Sequence, residues 1–209
     1  VAFNGKIQNQ LANLFQLTGI VPGFAVEMLC SLGLFLVAEL LVLGDLVVDF
    51  DSHEGAYAAV AAAQDFVTVL SGYYGVPYDV IDYYLTGGKG CHLVIPAILF
   101  GGEEGDPDLP HVHRRMLERI TNNFTNFGKR FDLIDTQLYS MGKGHILRVA
   151  NHRRENGHYK VPVSSGEFIG ITEQSQIDEF TKAPRSLYWL KPTSVRIDGF
   201  HKLFLECVA

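Results

Sequence analysis

Cysteine is scarce in this 209-residue chain, and the three present, Cys30, Cys91 and Cys207, stand far apart with no CxxC pair. That spacing offers neither a disulfide framework nor a structural zinc site built on paired thiolates, and it fits a reducing compartment. Long apolar runs are missing too. The most hydrophobic stretch, residues 28–43, is interrupted by Glu39 and falls short of the roughly 20 residues that a bilayer core demands. It reads as a buried helix or helix–strand pair, and no membrane partner is expected. No repeat or low-complexity tract appears, and no charged stretch leading into an apolar run and a small-residue cleavage site opens the chain. The expected location is cytoplasmic, nucleoid-associated or nuclear according to host. Hydrophobic residues at 47% and charged residues at 19% match an ordinary globular composition, which excludes collagen-like and broadly disordered classes.

Positive charge is in deficit overall, with a formal net charge of −6. On average this argues against a nucleic-acid coat and against binding to an anionic membrane. The average hides a division. Residues 111–160 carry ten Lys or Arg against four acids, a charge of +6, while the remainder carries −12. A solvated basic helix face explains such a run as well as a nucleic-acid surface does.

Apolar spacing predicts an amphipathic helix near residues 6–18. Leu46-Val47-Val48-Asp49-Phe50-Asp51 reads as a buried strand that delivers acids at its end. Ser52 as a cap, followed by the Ala-rich run Ala56–Leu70, predicts a helix closing at Gly72 or Gly75. Residues 80–85 and 91–95 then read as strands joined by a glycine turn, residues 101–110 as a loop, and 110–127 as a basic amphipathic helix. Further strands are expected at 133–135, 145–149 and 159–163, and a helix at 173–181. Residues 200–208 fit a strand or a helix equally. The pattern is mixed α/β, with residues 1–44 as a segment packing on the core, 45–165 as the core itself and 166–209 as its completion.

Asp49 and Asp51 flank one residue of a strand, so both carboxylates leave the same face and could share divalent cations of the hard-oxygen class, Mg²⁺ or Mn²⁺. Capping of a strand–helix junction is the alternative. In Thr86-Gly87-Gly88-Lys89-Gly90-Cys91-His92, glycines let backbone N–H groups approach an anion while Lys89 and His92 bring donors. The spacing is not that of a Walker loop, and a plain hairpin with a core histidine is the alternative. Asp135, after Leu133-Ile134, is either a third carboxylate or the opening of a turn. Acids on two strands, a glycine hairpin with Lys and His, and a basic run match jointly what nucleotidyl transfer requires.

Val48-Asp49-Phe50-Asp51, Thr86-Gly-Gly-Lys-Gly-Cys-His92-Leu-Val-Ile-Pro96 and Leu133-Ile134-Asp135 resemble, in order and spacing, the three motifs of the archaeo-eukaryotic primase superfamily. The second is the most specific. Leu147-Arg148-Val149-Ala150-Asn151-His152 and Asn156 to Pro162 are similar to that family's Arg-containing segment and basic loop. The resemblance covers about residues 45–165. Thr86 stands where Ser is usual, Gly90 where some members carry a Ser, and the loop lacks Lys-Thr-Gly. The resemblance implies a two-subdomain fold, one half an RNA-recognition-type sheet, with the active site in the cleft between. It implies transfer of a nucleotide from an NTP or dNTP to a 3′-hydroxyl on a DNA template-primer with two Mg²⁺ or Mn²⁺ ions. Asp49, Asp51 and Asp135 would hold the metals, and Thr86, Gly88, Lys89, Gly90, His92 and Arg148 the nucleotide. Asn151, His152, Arg153, Arg154 and Lys160 would meet nucleic acid. Helicase or other replication domains are the implied partners in a longer protein. A non-catalytic nucleotide- or nucleic-acid-binding domain of a replication-initiation or mobile-element protein is the alternative, and a metal-dependent nuclease would share the acids without needing the hairpin.

Overall fold

Valine, leucine and phenylalanine at residues 46–50 suit a pleated surface buried on one face, and they form β1 (Leu46–Asp51). β1 pairs antiparallel with β3 (Gly90–Ile95), Leu46 opposite Ile95 and Asp51 opposite Gly90. β2 (Asp82–Leu85) joins the far side of β3, and β4 (Val161–Val163) pairs with β2. The sheet is therefore four-stranded and antiparallel in the order β1-β3-β2-β4. This computed structural model describes residues 44–102, 108–124, 131–139, 148–186 and 195–208, all within the unit Gly44–Ala209. The expected helix at 6–18 and the packing of 1–44 lie outside the described residues, as do 145–147 of an expected strand.

Five α-helices accompany the sheet among the described residues: α1 (Ala56–Tyr74), α2 (Leu109–Asn123), α3 (Ser165–Ile169), α4 (Gln174–Thr181) and α5 (Asp198–Val208). Alanines at 56, 59, 62 and 63, all buried, let α1 lie close against β1 and β3, where Phe66 meets Phe50 edge to face at 5.7 Å. Gly75 in the left-handed region ends α1, and the Val76 N–H returns to the Leu70 carbonyl. None of these helices is long and apolar enough to cross a membrane.

Several expectations shift by local physics. The residue capping α1 is Gly55, not Ser52, because the Ser52 hydroxyl accepts the Glu54 N–H and shapes the turn before the helix. Residues 78–80 form a 3₁₀ turn ahead of β2. α2 ends at Asn123 rather than 127. The strand expected at 133–135 is a single bridge, Ile134 to Phe50, between turns, since the Asp135 carboxylate accepts the Gln137 N–H at 2.9 Å and bends the chain. Likewise Tyr159 makes only an isolated bridge with Arg153, Arg148 and Val149 lie in irregular backbone, and residues 200–208 are helical. The 133–135 segment is nonetheless pinned: the Tyr139 hydroxyl donates to the Val47 carbonyl at 2.6 Å and accepts the Val47 N–H at 2.8 Å. That hydroxyl satisfies the outer edge of β1.

Candidate active site

Directly opposed residues in an antiparallel sheet project from the same face. The register sets Asp49 opposite His92, and His92 opposite Tyr84, with Pro162 beyond. On the outer side of β1 the Asp135 N–H donates to the Asp49 carbonyl at 2.8 Å, so Asp135 stands across from Asp49. The resulting row runs Asp135, Asp49, His92, Tyr84. Asp51 lies one pleat repeat from Asp49 on the same face. The opposite face carries Leu46, Val48, Phe50, Cys91, Leu93, Tyr83 and Leu85, all buried in the core. Alternation along each strand thus separates a core face from a polar face, and the three carboxylates and the imidazole share the polar one.

His92 is 7% exposed, and its Nε2 lies 3.3 Å from Asp49 Oδ1 without the alignment of a hydrogen bond. Asp49 Oδ1 is consequently buried without a hydrogen bond, and so, on its own account, is His92 Nδ1. An unsatisfied carboxylate oxygen away from water costs a few kcal/mol, and a hard cation at this face would relieve it. Asp51 is drawn aside by Lys89, Nζ to Oδ2 at 3.1 Å, both half-exposed. As the side chains stand, no three His, Cys, Asp or Glu among the described residues close around a common point. Asp49, Asp51 and Asp135 are the hard oxygen donors of this face that could take a divalent cation.

The glycine hairpin is braced from within. The Thr86 hydroxyl donates to the Gly90 carbonyl at 2.8 Å and accepts the Gly90 N–H at 3.3 Å. Thr86 and Gly90 therefore spend their polar groups on the turn itself rather than offering them to a nucleotide. Gly87 has φ +66°, and a Cβ there would meet the Tyr159 carbonyl at 2.5 Å. The second hairpin, residues 151–160, closes against this turn, with Asn156 Nδ2 donating to the Gly87 carbonyl at 2.9 Å. The Arg154 guanidinium lies against Gly88 and donates to the Thr86 carbonyl at 3.4 Å. Arg154, expected on a separate nucleic-acid surface, thus joins Lys89 beside the phosphate-type loop.

Other expected contacts divide. His152 and Arg153 are exposed, Arg153 lying 6.0 Å from the centre of the Tyr159 ring. Asn151 occupies the left-handed region at φ +63°, and its amide exchanges two hydrogen bonds with the Arg185 backbone, a structural anchor. Lys160 is a correction: at 6% exposure it is no surface cation. Its ammonium donates to the Arg148 carbonyl at 2.7 Å and lies 4.9 Å from the Tyr84 ring centre. Burial lowers its pKa to about 8, with nearby Asp49 opposing and Arg148 reinforcing. Tyr84 completes the row, and the turn holds the signal: if Thr86 faces Gly90, then Tyr84 must face His92. Burial, then Asp82 and Asp45, raise its pKa to about 12, so the phenol stays protonated.

A cleft of about 630 Å³ opens at the end of β1, lined by residues 52–58 with Gly88, Lys89 and Gln174. It shares Lys89 with the polar face but not Asp49, Asp135 or His92. Compared with known proteins, the chain matches no family model, no curated sequence and no solved structure.

Proposed function

We propose that this chain is a primase-polymerase domain of the archaeo-eukaryotic type, transferring a nucleotide from an NTP or dNTP to the 3′-hydroxyl of a primer on a DNA template. The observation that carries this is the row of Asp135, Asp49 and His92 on one sheet face, with Asp51 and Lys89 at its end. Asp49, Asp51 and Asp135 would hold Mg²⁺ or Mn²⁺; such ions, when bound, lower the pKa of the attacking hydroxyl and neutralise charge on the leaving pyrophosphate. Lys89, His92, Arg154 and Arg148 would grip the triphosphate, acting through preplaced charge rather than covalent chemistry. Arg153 and His152, exposed on the 151–160 hairpin, would meet nucleic-acid backbone.

Topology supports the RNA-recognition-type half of this reading. Counting the Ile134 bridge as a strand position, the chain runs β1-α1-β2-β3-α2-134, and the order across the sheet is 134-β1-β3-β2. That is the β-α-β-β-α-β arrangement of RNA-recognition-type sheets. Helicase or other replication domains in a longer protein are the partners it would serve.

The test supplies templated primer, labelled nucleotides and Mn²⁺ or Mg²⁺ to wild type, Asp49→Ala and Asp135→Ala. We expect incorporation by wild type, reduced by a factor of 10² or more in either variant, on the order of what loss of a charge-stabilising group costs. Equal incorporation by all three ends the proposal. The Lys89–Asp51 ion pair and the open arrangement of the carboxylates favour a second reading, a binding module that holds nucleotide without turnover. Such a module would bind nucleotide yet incorporate none with any metal.

A further inference from the structure

Lysine is seldom buried without a strong reason, because removing an ammonium from water is costly unless its donors are met. Lys160 is 6% exposed, and it sits where β4 begins, on the face that carries Tyr84 and Pro162. Three features fix it. Its Nζ donates to the Arg148 carbonyl at 2.7 Å, and the ammonium lies over the Tyr84 ring at 4.9 Å. Its backbone closes the 151–160 hairpin, accepting the Asn151 N–H at 2.6 Å and donating to the His152 carbonyl at 3.0 Å. One side chain thus ties Arg148 to the sheet at Tyr84, which stands opposite His92.

Resting on the nucleotide-transfer reading above, we propose that Lys160 is a positioning residue: its buried ammonium holds the Arg148 segment down on the sheet so that the Arg148 guanidinium, itself exposed, is presented to a triphosphate at the glycine hairpin. The Lys160 ammonium anchors the Arg148 backbone through its carbonyl. Lys160 then contributes to nucleotide affinity without touching the nucleotide. The Tyr84 ring beneath it stands opposite His92 in the sheet, which keeps the tether at the site rather than at a distant edge.

The experiment uses the full chain and measures binding of ATP with Ca²⁺, together with KM and kcat for incorporation, in Lys160→Met, Lys160→Arg, Arg148→Ala and the Lys160→Met/Arg148→Ala double variant. Loss of a charge-assisted bond predicts affinity weaker by roughly tenfold or more in Lys160→Met, as a rise in Kd and KM at little change in kcat. In the Arg148→Ala background, Lys160→Met should add nothing, because the group it positions is gone. Lys160→Arg, which can still donate to the carbonyl, should restore part of the affinity. Thermal melts identify variants that fail to fold, and Lys160→Arg then carries the comparison alone: wild-type melting with KM raised less than in Arg148→Ala is expected. Wild-type affinity in folded Lys160→Met, or effects of the two substitutions that simply add, overturns the inference. A wild-type chain that binds no ATP and incorporates no nucleotide overturns the nucleotide reading instead, and the inference with it.

Discussion

Gly90 shows how much of the site hangs on one missing carbon. A Cβ there would stand 1.9 Å from the Phe50 carbonyl oxygen and 2.4 Å from an Asp51 carboxylate oxygen, so β3 meets β1 at this position only because residue 90 has no side chain. Gly90→Ala should force the strands apart where Asp51 and Lys89 sit. We expect destabilisation of about 1–3 kcal/mol, the usual scale of overpacking, together with loss of whatever Asp51 does at the site. Chemical denaturation checks it; unchanged stability would mean that the strand ends yield freely. The sequence announces this glycine inside a phosphate-type turn, which invites a ligand-facing role. What it does not announce is that Thr86 and Gly90 satisfy each other, since the three-residue span between them becomes a closed hairpin only once β2 and β3 pair. His92 and Asp49 were legible as members of motifs, and their contact follows from register. Lys160 departs from expectation because charge alone suggests a surface, whereas its burial is set by the Arg148 carbonyl and by Tyr84, which is far away in sequence.

Among the elements, β1, α1 and the β2–β3 hairpin were readable because each rests on local cues: alternation, an alanine-rich run ended by glycine, and a glycine turn. The segment after α2 was not. Ile134 and Asp135 lie extended only at the bridge to Phe50, and the segment is held by Tyr139, four residues past Asp135 and 92 residues from Val47. Such a clasp has no local signature. Its consequence is specific, for Tyr139 is the group that meets the backbone N–H and C=O on the outer edge of β1 at Val47. Tyr139→Phe keeps the ring and removes the hydroxyl, leaving both groups buried and unpaired at a cost of roughly 1–3 kcal/mol. Amide hydrogen exchange should speed up at Val47 and at Asp135, whose N–H bonds Asp49, well ahead of the amides shared by β2 and β3. Uniform acceleration across the sheet would mean that Tyr139 is only core filling. The short helix α3 does carry a local cue, the capping box of Ser164 with Glu167, to which Arg185 from beyond α4 adds an ion pair.

Over the whole molecule, the buried His113 of α2 shapes how the fold answers acid. His113 is 3% exposed, with its ring against Phe100 at 5.6 Å and Tyr139 at 5.3 Å and Nε2 unpartnered. Burial lowers its pKa from the usual 6.5 to about 4. Between those values the unfolded chain binds a proton that the folded chain refuses, so His113 costs no stability above pH 6.5 and costs progressively more as pH falls towards 4. Asp82 acts in the other direction. Burial, then Asp45, raise its pKa to about 6, so the folded chain takes up that proton first and gains stability as pH falls from 6 towards the ordinary carboxylate range. The two partly cancel in wild type, which is why a comparison between variants is needed. Replacing His113 with Phe keeps an aromatic ring between Phe100 and Tyr139 and leaves nothing there to protonate. From pH 7 to pH 5, urea denaturation should show wild type losing about 2 kcal/mol more than His113→Phe, with Asp82 contributing equally to both. An identical loss in the two proteins would show that His113 takes up its proton in the folded state, and that α2 sits loosely enough to admit water.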